Sequence, residues 1–437
     1  MLNKIMPIIK ENWVELVLII MLGILSPFFL FPTIHRTWIF LIIPVLWFFR
    51  WLIRKQFIER TILDWPILIL VIQVLITCII VPDISSSLGK ISGAIWVIAV
   101  FYSAVNLMRS DKFIKAGISI YLTAGFGLSI FGILGMIRSN PKFLDKLYKL
   151  SLFIPKVNFK LEGAESGFHP NAVGGTLVLV VPLFLVFVFT FLSRKGKERF
   201  LFKNQKSIIF LFIGTLIVIS ALILTQSRAS WFGLLVSSVL LFFPGKQKKW
   251  SFLIIAASVI VYLVLIGFDK IPFAAAAAKE SITSRMELWL LSMRLTGEHP
   301  ICGIGMNQFR TLPNVGYETA HVHNHLLHTM VELGIPGLVA YLAILMGAGY
   351  MCWKVRREAK DAWMRYTALG LGCGQLAHQI FGISDSIPLG AKPGIFFWVS
   401  LALIAAMYHY MRRERRGPAT DFRFQKKSEP VFPEIGR

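Results

Sequence analysis

The stretch "NAVGGTLVLVVPLFLVFVFTFL", Asn171 to Leu192, contains no charged residue over a length that matters physically. About 20 helical residues at 1.5 Å each cross a hydrocarbon layer of roughly 30 Å. In that layer unpaired backbone groups are intolerable, so an unbroken apolar block is read as a helix, whereas barrel strands read as short alternating segments. The chain of 437 residues repeats the pattern, with 56% hydrophobic and only 16% charged residues. This composition excludes an ordinary soluble enzyme. The fold class read from it is an all-α polytopic membrane protein.

About twelve spans are expected. They run approximately Trp13 to Phe31, Trp38 to Ile53, Trp65 to Val81, Leu88 to Met108, Phe113 to Ile137 and Asn171 to Leu192. The second half adds Ser207 to Leu224, Ser230 to Phe243, Trp250 to Gly267, Asn324 to Trp353, Trp363 to Ile383 and Gly394 to Met411. The polytopic domain is thus expected over 1–411, followed by a basic cytoplasmic tail over 412–437. The first apolar block lacks a small-residue cleavage site and reads as a retained span.

A net charge of +23 suggests nucleic acid in a soluble protein. With both termini on the cytoplasmic side, however, most Lys and Arg fall in cytoplasmic connections such as "RKGKER" (Arg194–Arg199) and "KVRREAK" (Lys354–Lys360). The positive-inside rule accounts for them, and no nucleic-acid partner is expected. Cys78, Cys352 and Cys373 lie in or beside spans and Cys302 on the outer face, so no disulfide framework is expected.

Two long connections then fall outside. The loop over 138–170 carries "KFLDKLYKLSLFIPK" (Lys142–Lys156), whose apolar spacing suggests an amphipathic interfacial helix. The loop over 268–323 carries "ESITSRMELWLLSMRL" (Glu280–Leu295), with Ile282, Met286, Trp289 and Met293 at helical spacing. A small helical extracytoplasmic subdomain is expected there, between spans nine and ten. No phosphate-cradling glycine loop occurs, which argues against an ATP-driven pump.

Arg228, in the short connection "LTQSRASWFG", is costly so near hydrocarbon unless it meets water or an anion. Arg285 opens the amphipathic stretch of the large loop. Each has an ordinary reading, as a snorkelling or a solvated side chain. Together they suit a phosphate or diphosphate, whose oxygens match a guanidinium fork.

Four of the nine histidines crowd into "HVHNHLLH", His321 to His328. If the stretch is helical throughout, His321, His325 and His328 share a face. Zinc is one reading, but no Cys pair or carboxylate stands at the usual spacing, and no metal is expected. A collar of interfacial histidines is another. His323, followed by Asn324 at the start of a span, faces the outer side, where an imidazole serves as a general base near neutral pH.

At these residues the chain resembles the O-antigen ligase and polymerase superfamily of membrane glycosyltransferases. The likeness rests on "HNHLLHTMVELGIPGL" (His323–Leu338), "GFHPNAVGGTLVLVVPL" (Gly167–Leu183), "TQSRASW" (Thr225–Trp231) and "SRMELW" leading to "HPICGIG" (Ser284–Gly305). Any one match is weak; the ordered set, spanning Gly167 to Leu342, is specific. The resemblance implies a GT-C-like helical fold and a glycan donor linked through diphosphate to a polyprenol such as undecaprenol. It further implies His323 as the catalytic residue, Arg228 and Arg285 as the diphosphate ligands, and no metal or other cofactor.

The function expected is transfer of the glycan to an acceptor hydroxyl, a lipid-anchored core sugar, on the outer face of the inner membrane. A repeat-unit polymerase of the same family is the nearest alternative, and a transporter or flippase of a lipid-linked anion the alternative from another class. Asn324, His325, His169, Asn171 and Asp385 are candidate supporting residues. Asp385, in "GISDSIPLG", either orients a base or contacts sugar, or is an ordinary turn residue.

Overall fold

The computed structural model describes residues 2–139, 169–192, 205–242, 272–312 and 321–416. Among these, every regular element is helical. The helices are α1 (Leu2–Ile24), α2 (Ser26–Leu30), α3 (Ile42–Arg54, preceded by a 3₁₀ turn over Ile34–Leu41), α4 (Asp64–Ile80), α5 (Ile84–Leu107) and α6 (Asp111–Ser139). They continue with α7 (Pro170–Leu192), α8 (Gln205–Leu224), α9 (Arg228–Phe242), α10 (Pro272–Glu298), α11 (His325–Glu358), α12 (Ala362–Phe381) and α13 (Ile395–Arg416). The expected span Trp250–Gly267, the amphipathic segment Lys142–Lys156 and the tail beyond Arg416 lie outside the described residues.

Among the described residues, seven helices are long and apolar enough to cross a membrane, against the dozen or so expected of the whole chain. They are the segments Ile34–Arg54, Ile84–Leu107, Asp111–Leu134, Pro170–Leu192, Gln205–Leu224, His325–Glu358 and Lys392–Arg415. Helices stand at the other described positions too, but Asn12–Ile24 and Asp64–Ile80 are shorter, and α9 has only 15 residues. The first expected span is broken between α1 and α2, just ahead of Pro27. The last helix continues past Met411 through the basic residues to Arg416. The stretch around Arg285 is helical as expected, but within a longer helix that begins at Pro272.

Polar residues set the helix starts. Asp64 accepts from the backbone N–H and hydroxyl of Thr61 (3.0 and 2.7 Å), and that hydroxyl accepts from Leu63 N–H (3.2 Å) where α4 begins. Asp83 caps α5 by accepting from Ser85 N–H (3.0 Å), and Asn324 caps α11 by accepting from Leu327 N–H (3.0 Å).

Between helices in lipid there is little hydrophobic driving force, so close backbone approach and van der Waals packing must hold the bundle. Helix α12 packs on α7, α9 and α11, and α5 packs on α13. A β-carbon at Gly374 would stand 2.4 Å from the Leu179 carbonyl oxygen, and one at Gly233 would stand 2.4 Å from that of Ala377. Only glycine permits α7 and α9 to lie so near α12. This closeness gathers the ends of several helices around the last turn of α12, where the candidate residues are found.

Candidate functional site

The turn over 321–324 leads into α11 and is fixed by its neighbours. His325 N–H donates to the Gly382 carbonyl (2.7 Å), and Asn324 Nδ2 donates to the Ile383 carbonyl (3.1 Å). The turn is thereby tied to the loop that leaves α12. His323 itself has φ +54°, in the left-handed region. For a residue with a β-carbon that conformation costs roughly 1–3 kcal/mol, and it persists only where the surroundings impose it.

The strained residue faces a carboxylate. His323 Nδ1 lies 3.3 Å and His321 Nε2 2.8 Å from Oδ1 of Asp385. Ser386 N–H donates to the same oxygen at 2.8 Å. Burial would raise the Asp385 carboxyl, yet the hydrogen bonds from both histidines, and their charge, outweigh it and hold the group well below its ordinary value. It is therefore an anion that accepts hydrogen bonds. With Nδ1–H of His323 donating to Asp385, Nε2 is left as the ring's lone-pair nitrogen. Burial lowers His321 from its ordinary 6.5; the hydrogen bond and charge of Asp385 oppose this, while His323 and His328 add to it.

His321, His323 and Asp385 also offer three ligand atoms within 4.8 Å of one another, a set able to hold a cation. Two nitrogens directed at one oxygen at 2.8 and 3.3 Å is the geometry of a shared hydrogen-bond acceptor. That assignment occupies both ring N–H groups with no ion required.

The face expected for His321, His325 and His328 does not form. Asn324 caps the helix, which begins at His325, so His321 belongs to the preceding bend. His325 is buried, its ring stacked 4.9 Å from that of Tyr341 and edge-on to that of His378 at 6.0 Å. His378 Nδ1 in turn lies 2.7 Å from the Gly175 carbonyl of α7. His325 thus belongs to the packing beneath the turn. His328 is buried as well, beside Glu332.

The remaining candidates sit on neighbouring helix ends. Arg228 is the first residue of α9 and exposed, two positions after Gln226, another left-handed residue (φ +51°). That turn, with Thr225, Ser227 and Ser230, closes on Gly174 near the start of α7, the helix that His169 precedes and in which Asn171 is the second residue. Gly175 of α7 packs on Phe381, and Gly233 of α9 on the last turn of α12. The amino-terminal ends of α7, α9 and α11 therefore gather around the carboxyl end of α12. Each such end carries about half a positive charge, which favours an anion.

Arg285 is half-buried on α10, one turn before Trp289. Leu288, Trp289 and Leu291 pack around Phe309, Val322 and Val331, so α10 flanks the histidine turn. The hydrogen bonds of His323 run to Asp385 and to neither arginine. The sequence alone did not single out His321 as a partner of Asp385, nor Glu332 as a partner of His328. The second pair had a signal, i,i+4 spacing on a helix; the first had none.

No curated protein matches the chain. Residues 213–342, from α8 into α11 and including Arg228, Arg285 and His323, match the family described as O-Antigen ligase, in support of the resemblance to the O-antigen ligase and polymerase superfamily.

Proposed function

We propose that this membrane protein transfers a glycan from a polyprenyl diphosphate to an acceptor hydroxyl, a lipid-anchored core sugar, on the outer face of the inner membrane. The observation that carries the reading is the strained His323 at the start of α11, its Nδ1 against the buried Asp385. Nε2 of His323 takes the acceptor hydroxyl proton as the new bond forms at the anomeric carbon. The bond from that carbon to the phosphate oxygen breaks, and its electron pair leaves with the polyprenyl diphosphate. Arg228, Arg285 and the three helix ends stabilise that departing charge. A polyprenyl tail needs lipid while its diphosphate needs the surface, a division suited to Arg228 at the first position of α9. His169 and Asn171, at the start of α7, line the same side.

Transfer by purified protein in lipid, with a polyprenyl-diphosphate glycan and either a lipid-anchored core oligosaccharide or a second repeat unit, tests the reading. His323→Ala should lower the rate by about 10²–10⁴-fold, the range of general-base catalysis. Undiminished transfer would rule out the base. Chelator should leave the rate unchanged, and a chelator-sensitive rate would turn the His321–His323–Asp385 group into a metal site. Transfer to a repeat unit in place of core would make the protein a polymerase.

A further inference from the structure

The left-handed conformation of His323 is held on one side by Asp385, Gly382 and Ile383. On the other side stands a buried pair that the proposed chemistry does not use. Val322, whose side chain is fully buried, donates its backbone N–H to Nδ1 of His328 in a long contact of 3.5 Å. A ring nitrogen that accepts carries no proton, so the His328 proton is on Nε2. That nitrogen lies 3.3 Å from Oε2 of Glu332, one helical turn further along α11.

Both side chains are almost inaccessible, at 3% and 4% exposure. The contact lacks the alignment of a full hydrogen bond, and Glu332 Oε1 has no hydrogen-bond partner among the described residues. A buried acid with so little compensation adds little to stability compared with an apolar residue of the same size. Its presence needs another account. Around it the backbone is closely fixed: Ile304 N–H donates to the Val331 carbonyl (2.9 Å) and Gly305 N–H to that of Glu332 (3.0 Å). The carboxylate therefore sits on a rigid floor, facing the His328 imidazole and within electrostatic reach of the Lys90 ammonium of α5.

We infer that Glu332 and His328 are positioning residues for His323. Glu332 selects the Nε2–H tautomer of His328, which leaves Nδ1 to hold the Val322 N–H. The peptide between Val322 and His323 is thereby oriented, and with it the direction in which the His323 ring leaves the backbone. Neither residue touches substrate. The inference rests on the reading of His323 as the base.

The test is steady-state transfer in lipid with His328→Leu and His328→Asn, and with Glu332→Leu and Glu332→Gln. The leucine variants remove the acceptor; the amide variants keep one. Both leucine variants should lower kcat by about 10–100-fold, the usual effect of losing a supporting hydrogen-bond partner. KM for the donor should stay within about threefold, since the diphosphate contacts are untouched. The amides should recover most of the loss. In a His323→Ala background, His328→Leu should add no further loss, because there is no base left to position.

Unchanged kcat in the leucine variants, equal loss in leucine and amide variants, or a multiplicative loss in the double variant would each overturn the inference. If His328→Leu does not fold, the Glu332 pair decides alone. An active His323→Ala protein would instead defeat the base reading, so the two failures are distinguishable.

Discussion

Nδ1 of His323 lies 3.3 Å from Oδ1 of Asp385, a residue 62 positions further along the chain. The two meet because Gly382 and Ile383, at the end of α12, accept hydrogen bonds from His325 and Asn324. The turn before α11 and the loop after α12 are thus one structure. The carboxylate fixes which histidine nitrogen keeps its proton.

Asp385→Asn tests that tautomer assignment. An amide can donate to Nδ1, which would leave the proton on Nε2 and remove the base, as with the carboxylates that support catalytic histidines elsewhere. Transfer kcat should fall by about 10²–10⁴-fold with the fold intact. Wild-type kcat in the asparagine variant would mean that Asp385 does not orient His323.

The stability of the site should depend on pH in a definite direction. The folded pKa of His321 is depressed below its ordinary 6.5, so the unfolded chain takes up this proton first as the pH falls. Its contribution is fully present above that value and is lost as the pH drops below it. Asp385 is likewise depressed, and its contribution survives until the pH falls below its ordinary 3.8. Between those values His321 contributes to the loss and Asp385 does not. Thermal unfolding in lipid nanodiscs should show a midpoint that falls on acidification through this window, and less steeply in His321→Gln. A midpoint that rises on acidification contradicts the assignment.

A second buried ionic group, remote from the site, predicts an effect on stability alone. Glu15 of α1 accepts from Arg54 of α3 at 2.8 and 3.2 Å and lies 3.6 Å from the fully buried Arg50. Arg50 also donates to the carbonyls of Gln56 and Phe57. Removing the acid leaves a buried guanidinium without its counter-charge, which costs about 3–5 kcal/mol. Glu15→Ala should lower the unfolding midpoint markedly while the donor KM of the remaining folded protein is unchanged. An unchanged midpoint would mean that the pair contributes nothing.

Gly334 offers a third structural test. Its φ is +69°, and a β-carbon there would meet the Ile301 carbonyl oxygen at 2.3 Å. Gly334→Ala therefore combines backbone strain with collision and should cost roughly 1–3 kcal/mol or more. It should also loosen the loop after α10, read as faster hydrogen exchange at Ile304 and Gly305. Wild-type exchange in the variant would show that the glycine is not required.

The helices were legible because lipid leaves the backbone few choices: the block Asn171–Leu192 is the helix Pro170–Leu192. How many of them span was less legible, since α9 and Asp64–Ile80 are too short to be assigned by length and composition. Within the candidate site, the position of His323 and Asn324 at the entry to a helix was legible, since the apolar block begins directly after them. The pairing of His321 and His323 with Asp385 could not, because it depends on how α11 meets α12 and no local spacing encodes it. The expected histidine face failed for a local reason: the left-handed turn at His323 starts the helix later than periodicity alone suggests.

The kink at Gly334 has a consequence for cutting the protein into parts. There α11 gives the carbonyls of Val331 and Glu332 to Ile304 and Gly305, while Ile335 N–H donates to the Pro300 carbonyl. Loop and helix are laced together by main-chain bonds that no side-chain substitution can replace. A fragment containing α11 without residues 300–305 would expose two unpaired carbonyls and an unpaired N–H. Deletion of that loop, or transfer of the loop without its helix, should therefore fail at the level of the backbone.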